Sequence, residues 1–274
     1  MAKGAVSVGK RIDILIIDDE QVVRDAVSRI CKAGGLTIET AGDARTGLAK
    51  VQTNAYRLVV CDVMLPELDG FHILDAMKHA GVRTPLIMIT GYSTMQNAVN
   101  ALKNGAIDFI PKPFTADEIE SAVRRGLRYQ KFAHAGASGG SQKGDVSNFS
   151  VPCPANYYRL GNLSWAHMER TGTGLIGVTD LFLKTVSPVD KIELLDMDHD
   201  LVQGTACATI TSQDHLSHDI LSPLSGRIIE RNEPLLSRPE TLEKDPYFVG
   251  WLYRIIPTDV TYELKQLTSY VQDH

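Results

Sequence analysis

The sequence predicts an α/β domain with a five-stranded, doubly wound parallel sheet, followed by a β-rich second domain of the sandwich or flattened-barrel type. Between residues 12 and 130, short apolar runs alternate five times with stretches whose apolar residues recur at helical spacing. This alternation is typical of a parallel sheet with helices on both faces. From residue 149 onward, short strand-like runs separated by Gly and Pro predominate. A length of 274 residues is sufficient for two domains.

Five apolar runs form the predicted strands of the first domain. The central run, Leu58–Cys61, is too short for a helix and rich in β-branched residues, which indicates a strand buried on both faces. The predicted strands are Ile12–Ile17, Leu36–Thr40, Leu58–Cys61, Pro85–Thr90 and Ile107–Ile110. The helices that follow them are predicted from apolar stripes at Val23–Ile30, Asp43–Gln52, Phe71–Met77, Ala98–Leu102 and Ile119–Leu127.

Polar residues stand at the carboxyl ends of these strands. Asp18 and Asp19 follow the first strand, Asp62 follows the third, Thr90 ends the fourth and Lys112 comes shortly after the fifth. In doubly wound sheets, ligands bind beside the carboxyl ends of the strands. We therefore expect these five side chains to converge in space although they are distant in sequence.

The residue types at this edge predict a phosphoryl-accepting site. Three carboxylates in one small site require a cation, and an acidic site made of oxygen ligands suits Mg²⁺. A lysine and a hydroxyl group beside the ion would help to hold a phosphoryl group. A free Asp62 carboxylate aimed at that group is a nucleophile that can form an acyl phosphate.

Residues 12–130 resemble the receiver domain of two-component response regulators, which has a flavodoxin-like fold. The matching motifs are Asp-Asp-Glu at 18–20, Asp-x-Met-Leu-Pro-x-x-Asp-Gly at 62–70, Ile-Thr-Gly-Tyr at 89–92 and Asp-Phe-Ile-Pro-Lys-Pro-Phe at 108–114. The resemblance implies that Asp62 is the phosphoacceptor and that Thr90 and Lys112 contact the phosphoryl group. It also implies the Mg²⁺ ligands, which would be Asp18, Asp19, Asp62 and the Met64 carbonyl.

Phe109 falls at the aromatic switch position of that family, three residues before Lys112. An aromatic residue in an edge strand is also commonly a core residue. Both interpretations of Phe109 remain open at this point.

Residues 131–148 are predicted to be a flexible linker between the domains. The run Ala-Gly-Ala-Ser-Gly-Gly-Ser at 135–141 has almost no side chain to bury. The two domains, 12–130 and 149–274, therefore need not share one fixed orientation.

The second domain is predicted to consist mainly of short strands. The predicted strands are Gly174–Val178, Lys191–Leu195, Thr205–Thr211, Arg227–Arg231 and Trp251–Ile256, and the predicted helices are Asp180–Lys184 and a C-terminal helix, Tyr262–Val271. This half resembles the glycine cleavage H-protein, a lipoyl-carrier domain. The matching motifs are Leu-Ser-Trp at 163–165, Gly-Leu-Ile-Gly-Val-Thr-Asp at 174–180, Leu-Ser-Pro-Leu-Ser-Gly-Arg-Ile-Ile-Glu-Arg-Asn at 221–232 and Asp-Pro-Tyr-Phe-Val-Gly-Trp-Leu at 245–252.

The lipoyl lysine that the resemblance implies is missing. The family carries lipoate on a lysine at a hairpin tip, eight residues before the Pro that Pro223 matches. That position is His215, or Asp214 with a one-residue shift, and no lysine lies between Lys191 and Lys244. Because the lipoyl amide needs a primary amine, we expect a scaffold without lipoate.

The altered tip offers His215 and His218 as metal ligands. Two imidazoles alone rarely complete a metal site. A solvated polar hairpin is therefore the favoured interpretation, with a metal site as the open alternative.

The bulk composition predicts a cytoplasmic protein that contacts neither nucleic acid nor membrane. The net charge is −5, and the second half lacks a helix-turn-helix pattern. No apolar run is long enough to span a membrane, and Met1–Lys10 does not resemble a signal peptide. The four cysteines show neither zinc nor dithiol spacing.

Together these features predict a response regulator that a sensor histidine kinase phosphorylates on Asp62. The H-protein-like half would act as a non-enzymatic module for an unknown downstream protein, and the receiver could pair with a second receiver. One alternative is a phosphorylation-gated carrier or cofactor-binding protein in one-carbon or lipoate metabolism. Another alternative is a phosphotransfer intermediate.

Overall fold

The first domain is a parallel sheet flanked by helices, as the sequence predicts. The computed structural model describes residues 12–92, 94–137 and 151–269. The strands are β1 (Ile14–Ile17), β2 (Ile38–Ala41), β3 (Leu58–Asp62), β4 (Leu86–Thr90) and β5 (Asp108–Pro111). The helices are α1 (Gln21–Ala33), α2 (Ala44–Thr53), α3 (Gly70–His79), α4 (Met95–Lys103) and α5 (Ala116–Ala137).

The sheet order is β2-β1-β3-β4-β5, with every pairing parallel. Strands β1, β3 and β4 are buried along their whole length. Their alternate side chains enter two separate apolar clusters, one on each face of the sheet. The near-continuous apolar sequence of these strands is thus explained by burial on both faces.

Helix α5 is longer than the sequence predicts. It continues to Ala137, so residues 131–137 of the predicted linker are helical. Alanine has the highest helix propensity of all residues, and this favours continuation of the helix through the alanines at its end. The remaining linker positions, 138–148, lie outside the described residues.

The second domain contains a large and a small antiparallel sheet. Its strands are β6 (Tyr157–Leu160), β7 (Ser164–Met168), β8 (Gly174–Val178), β9 (Val189–Leu194), β10 (Asp200–Leu201), β11 (Ala206–Ser212), β12 (Ser217–Leu221), β13 (Gly226–Arg231), β14 (Trp251–Pro257) and β15 (Thr268–Ser269). The large sheet has the order β10-β13-β14-β8-β7-β6-β15, and the small sheet has the order β12-β11-β9. Short helices are α6 (Asp180–Thr185), α7 (Pro234–Ser237), α8 (Thr241–Lys244) and α9 (Val260–Glu263).

The predicted helix Tyr262–Val271 is wrong from Leu264 to Ser269, and its last two positions lie outside the described residues. The chain instead forms α9, a single 3₁₀ turn at Leu264–Gln266, and β15, which pairs with β6. Leu267 is buried in the core of the domain between these elements. Tertiary pairing with the sheet edge thus overrides the local helical pattern.

The two domains are packed together. Val99 and Leu102 of α4 lie in the apolar core of the second domain, at 2% and 1% exposure. Helix α5 contacts α6 and β12. None of the helices in the described segments is long and apolar enough to span a bilayer.

Candidate functional site

The structure brings the predicted polar residues to one edge of the parallel sheet. Asp62 is the last residue of β3 and Asp18 directly follows β1, and both are almost fully buried, at 4% and 2% exposure. Thr90 is the last residue of β4 and is fully buried. Lys112 directly follows β5. The parallel register places these strand ends side by side, since Asp62 pairs with Ile89, the neighbour of Thr90.

The ammonium group of Lys112 is the cation of this site. Its Nζ lies 2.7 Å from Asp62 Oδ2, 2.9 Å from Asp18 Oδ2 and 2.9 Å from Glu20 Oε1. One cation therefore neutralises part of the negative charge of three carboxylates, whose mutual repulsion would otherwise oppose their clustering.

The environment shifts the pKa values of two of these groups. Burial raises the pKa of Asp18, and hydrogen bonds from Lys112 and from the backbone N–H of Glu20 oppose part of that shift. Burial alone would lower the pKa of Lys112, but its hydrogen bonds to Asp62, Glu20 and Asp18 outweigh burial and raise the pKa above its ordinary value. Lys112 is thus held in its charged form.

The backbone around Asp62 orients its carboxylate. The backbone N–H of Met64 donates to Asp62 Oδ1 at 2.9 Å, which leaves Oδ2 to Lys112. The following helix starts so close that a Cβ at position 70 would lie 2.3 Å from the Asp62 carbonyl oxygen. Gly70 is therefore required where the chain turns back beside the acid.

Three acids lie close enough together to share a metal ion. In the part of the chain that the structure describes, ligand atoms of Asp18, Glu20 and Asp62 all lie within 4.8 Å of one another. This all-oxygen donor set fits a hard divalent cation. Asp19, which the family resemblance nominates as a ligand, is exposed and is not a member of this group.

Sequence reasoning did not assign Glu20 to the site. The sequence feature that could have indicated Glu20 is its position as the third acid in the run at 18–20. Its contact with Lys112 depends on the start of α1, where Glu20 is the N-cap residue.

The predicted hydroxyl and aromatic residues lie on the side of the site towards α4. Thr90 Oγ1 accepts the backbone N–H of Tyr92 at 3.0 Å. Phe109 is half-buried and lines a cavity of about 390 Å³ between α4 and strand β12 of the second domain. Met64 and Tyr92 are both exposed near the mouth of the site.

The chain matches two known domain families. The response regulator receiver domain matches residues 14–124. The glycine cleavage H-protein matches residues 156–273.

The chain joins a response-regulator receiver domain to an H-protein domain.

Solved structures and curated proteins similar to this chain include relatives of both domains. The receiver domain of NtrX from Brucella abortus is 41% identical over 42% of this chain and 98% of that chain, with a TM-score of 0.40. A glycine cleavage system H protein from Mycobacterium marinum is 24% identical over 39% of this chain and 87% of that chain, with a TM-score of 0.36.

Among curated proteins, the transcriptional regulatory protein DltR of Streptococcus agalactiae serotype III is 29% identical over 66% of this chain and 82% of its own length. The nitrogen assimilation regulatory protein NtrX of Azorhizobium caulinodans is 38% identical over 42% of this chain. The match spans only 26% of that NtrX.

The hairpin β11–β12 of the H-protein domain contains the position at which the sequence analysis expects the lipoyl lysine. Asp214 and His215 lie in its turn and are exposed, and His215 has a φ of 62°. Neither side chain is a primary amine. The structure thus places the substituted position at a hairpin tip, as the sequence predicts.

His215 and His218 do not form a metal site. His218 is buried, with Arg125 and Ser121 at Nδ1 and Ser212 at Nε2. Because both ring nitrogens have protein partners, neither is available as a ligand. A metal ion there would also stand beside the guanidinium group of Arg125.

Replacement of Lys112 tests the charge balance of the receiver site. We expect Lys112→Ala to lower the free energy of unfolding at pH 7 by roughly 3 kcal/mol, because two buried carboxylates lose their counter-charge. The loss should shrink at pH 4, because burial raises the pKa of Asp18 and protonation of this carboxyl group relieves part of the repulsion. Urea unfolding followed by circular dichroism measures both values.

The exposed Lys32 in the last turn of α1 provides the matched control. Lys32→Ala should change the free energy of unfolding by less than about 0.5 kcal/mol. Equal losses in the two variants would contradict a special role for Lys112.

Proposed function

We propose that this protein is a cytoplasmic response regulator whose receiver is phosphorylated on Asp62 by a sensor histidine kinase. The H-protein domain would act as a non-enzymatic, non-lipoylated module that binds a downstream protein. The observation that carries this proposal is the buried Asp62 carboxylate, paired with Lys112 at a cluster of acids. The receiver family supports the kinase as phosphodonor.

The proposed step is an in-line transfer of a phosphoryl group to Asp62. An Asp62 carboxylate oxygen attacks phosphorus, a P–O bond forms, and the P–N bond to the kinase imidazole breaks. The electron pair of that bond stays with the imidazole nitrogen, which leaves as the neutral base after protonation.

Lys112 and Thr90 would stabilise the product. Lys112 already contacts Asp62 Oδ2 and can follow the new negative charge onto the phosphoryl oxygens. Thr90 accepts the Tyr92 N–H through an oxygen lone pair, so its hydroxyl proton remains able to donate to a phosphoryl oxygen.

We propose that Mg²⁺ binds beside Asp18 and Asp62. Asp18, Asp62 and the Met64 carbonyl would hold it, with Asp19 as the further carboxylate. When bound, the ion would neutralise charge on the transferring phosphoryl group. The bound ion would also release Lys112 from the carboxylates whose negative charge this lysine now partly neutralises.

The H-protein domain is proposed to act through binding because its hairpin tip has lost the carrier chemistry. Asp214 and His215 replace the amine that lipoylation requires. The domain nevertheless retains a fully buried core, which includes Trp165 and Tyr253. A stable scaffold without its reactive group is suited to recognition of another protein.

Phosphorylation of the full chain tests the proposed function. Incubated with acetyl phosphate and Mg²⁺, the wild-type protein should gain one phosphoryl group by intact-mass spectrometry. Asp62→Asn should gain none, because the amide is not a nucleophile. Asp75→Asn, which alters an exposed acid on α3, should behave like wild type. Undiminished labelling of Asp62→Asn would refute the assignment of the phosphoacceptor.

A second experiment identifies the third carboxylate at the metal. Lys112 pairs with Glu20, whereas Asp19 forms no ion pair among the described residues. We therefore expect Asp19→Asn to weaken Mg²⁺ binding about tenfold or more, and Glu20→Gln to weaken it less. Isothermal titration calorimetry gives both affinities. The reverse order would transfer the ligand role to Glu20.

A further inference from the structure

The H-protein domain covers the face of the receiver formed by α4, β5 and α5. Val99 and Leu102 of α4 are buried by residues of the second domain. Two glycines of that domain approach the helix closely, since a Cβ at Gly161 or Gly204 would lie 3.0 Å or 2.9 Å from an α4 carbonyl oxygen. Lys103 at the end of α4 donates to the Lys265 carbonyl at 2.7 Å.

The hairpin β11–β12 is the polar part of this interface. His218 of β12 accepts a hydrogen bond at Nδ1 from Arg125 Nη1 of α5. Because arginine can only donate, the ring proton must be on Nε2, which lies 3.0 Å from Ser212 Oγ. Ser121 Oγ of α5 also donates to the Ser217 carbonyl at 3.1 Å. The guanidinium group of Arg125 stands over the Phe182 ring of the second domain at 5.5 Å.

A second arginine of α5 is linked to the turn of the same hairpin. Arg128 donates to Ser187 Oγ at 2.8 Å and to the Thr185 carbonyl at 3.1 Å. Ser187 in turn donates to Asp214 Oδ2 in the hairpin turn at 2.7 Å. Both partners of Arg128 belong to the H-protein domain, so these bonds exist only while the domains are in contact.

Strand β5 connects this interface to the phosphoacceptor site. Asp108, the first residue of β5, is paired with Arg125, and Phe109 borders the cavity that β12 closes. Lys112 follows the last residue of β5 and contacts Asp62. A movement of β5 or Lys112 towards a phosphoryl group would therefore act directly on the contacts of Arg125 and Phe109.

We infer that the hairpin β11–β12 is an intramolecular docking element that holds the H-protein domain on the α4–β5–α5 face and opposes phosphorylation of Asp62. This inference rests on the proposed function of Asp62. Docking masks the receiver face from a second copy of the chain, and phosphorylation exposes both that face and the hairpin. Because the docked state opposes phosphorylation, the observed rate follows the population of the open state, and weakening the docked state raises that population.

The rate of phosphorylation by acetyl phosphate and Mg²⁺ tests this coupling in the full chain. We expect Val99→Glu and Arg128→Ala to accelerate phosphorylation about fivefold or more, because both weaken docking without contacting Asp62. Val249→Glu introduces the same charge at a 54% exposed position of the H-protein domain, and Arg124→Ala removes an exposed arginine of α5. Both controls should react at the wild-type rate.

The outcomes separate the docking inference from the proposed function. Equal rates in all five proteins would overturn the inference and leave Asp62 as the phosphoacceptor. Failure of every protein to be phosphorylated would refute the proposed function. Small-angle X-ray scattering measures docking directly. Val99→Glu should have a larger radius of gyration than Val249→Glu, because its two domains separate. Equal radii would overturn docking.

Protonation of His218 gives an independent test of the same interface. Burial and the neighbouring Arg125 lower the pKa of His218 to about 3, with Arg128 acting in the same direction and Asp214 opposing. Asp108 is linked to His218 through its ion pair with Arg125, which is hydrogen-bonded to the imidazole ring. When the hairpin separates from the receiver, the pKa of His218 should return to its ordinary value of 6.5. Between pH 6.5 and pH 3 the open state then binds a proton that the docked state does not. Lowering the pH therefore stabilises the open state relative to the docked state.

The ratio of the wild-type to the His218→Gln phosphorylation rate should therefore rise up to about tenfold between pH 7.5 and pH 5.5. Glutamine can accept from Arg125 and donate to Ser212 but cannot be protonated in this range. His199→Gln, at an exposed position, should retain the wild-type pH dependence. A constant ratio between wild type and His218→Gln would contradict the role of His218.

Discussion

The contact of one ammonium group with three carboxylates is the interaction on which the receiver site depends. Lys112 allows Asp18, Glu20 and Asp62 to lie within bonding distance at the end of a buried sheet. Without a cation, the mutual repulsion of the three carboxylates would oppose their close approach. A phosphoryl group on Asp62 would change the distribution of negative charge around Lys112 and therefore the contacts that this lysine makes.

Strand β5 gives this local charge balance a long-range consequence. At its carboxyl end, Lys112 follows the strand and contacts Asp62. At its amino end, Asp108 forms an ion pair with Arg125, which contacts the second domain. The strand pairs with β4 along its whole length, from Asp108 to Pro111. The aromatic residue between these ends, Phe109, borders a cavity with room for a different side-chain position.

The hairpin β11–β12 of the H-protein domain takes part in the contact with the receiver. Asp214 and His215 lie in its turn, and neither side chain is a primary amine. The neighbouring His218 is turned inward and bonded to the receiver. The hairpin thus contributes hydrogen bonds across the interface between the two domains.

The sequence by itself determined the order of strands and helices in the receiver and the residues Asp18, Asp62, Thr90 and Lys112, because apolar periodicity and polar strand ends are local signals. It also shows that no lysine lies between Lys191 and Lys244. Only the tertiary structure decided that Glu20 contacts Lys112, that residues 264–269 turn and pair with β6, and that the hairpin docks on α5. These features arise from contacts between segments distant in the chain, and such contacts leave no periodic pattern in the sequence.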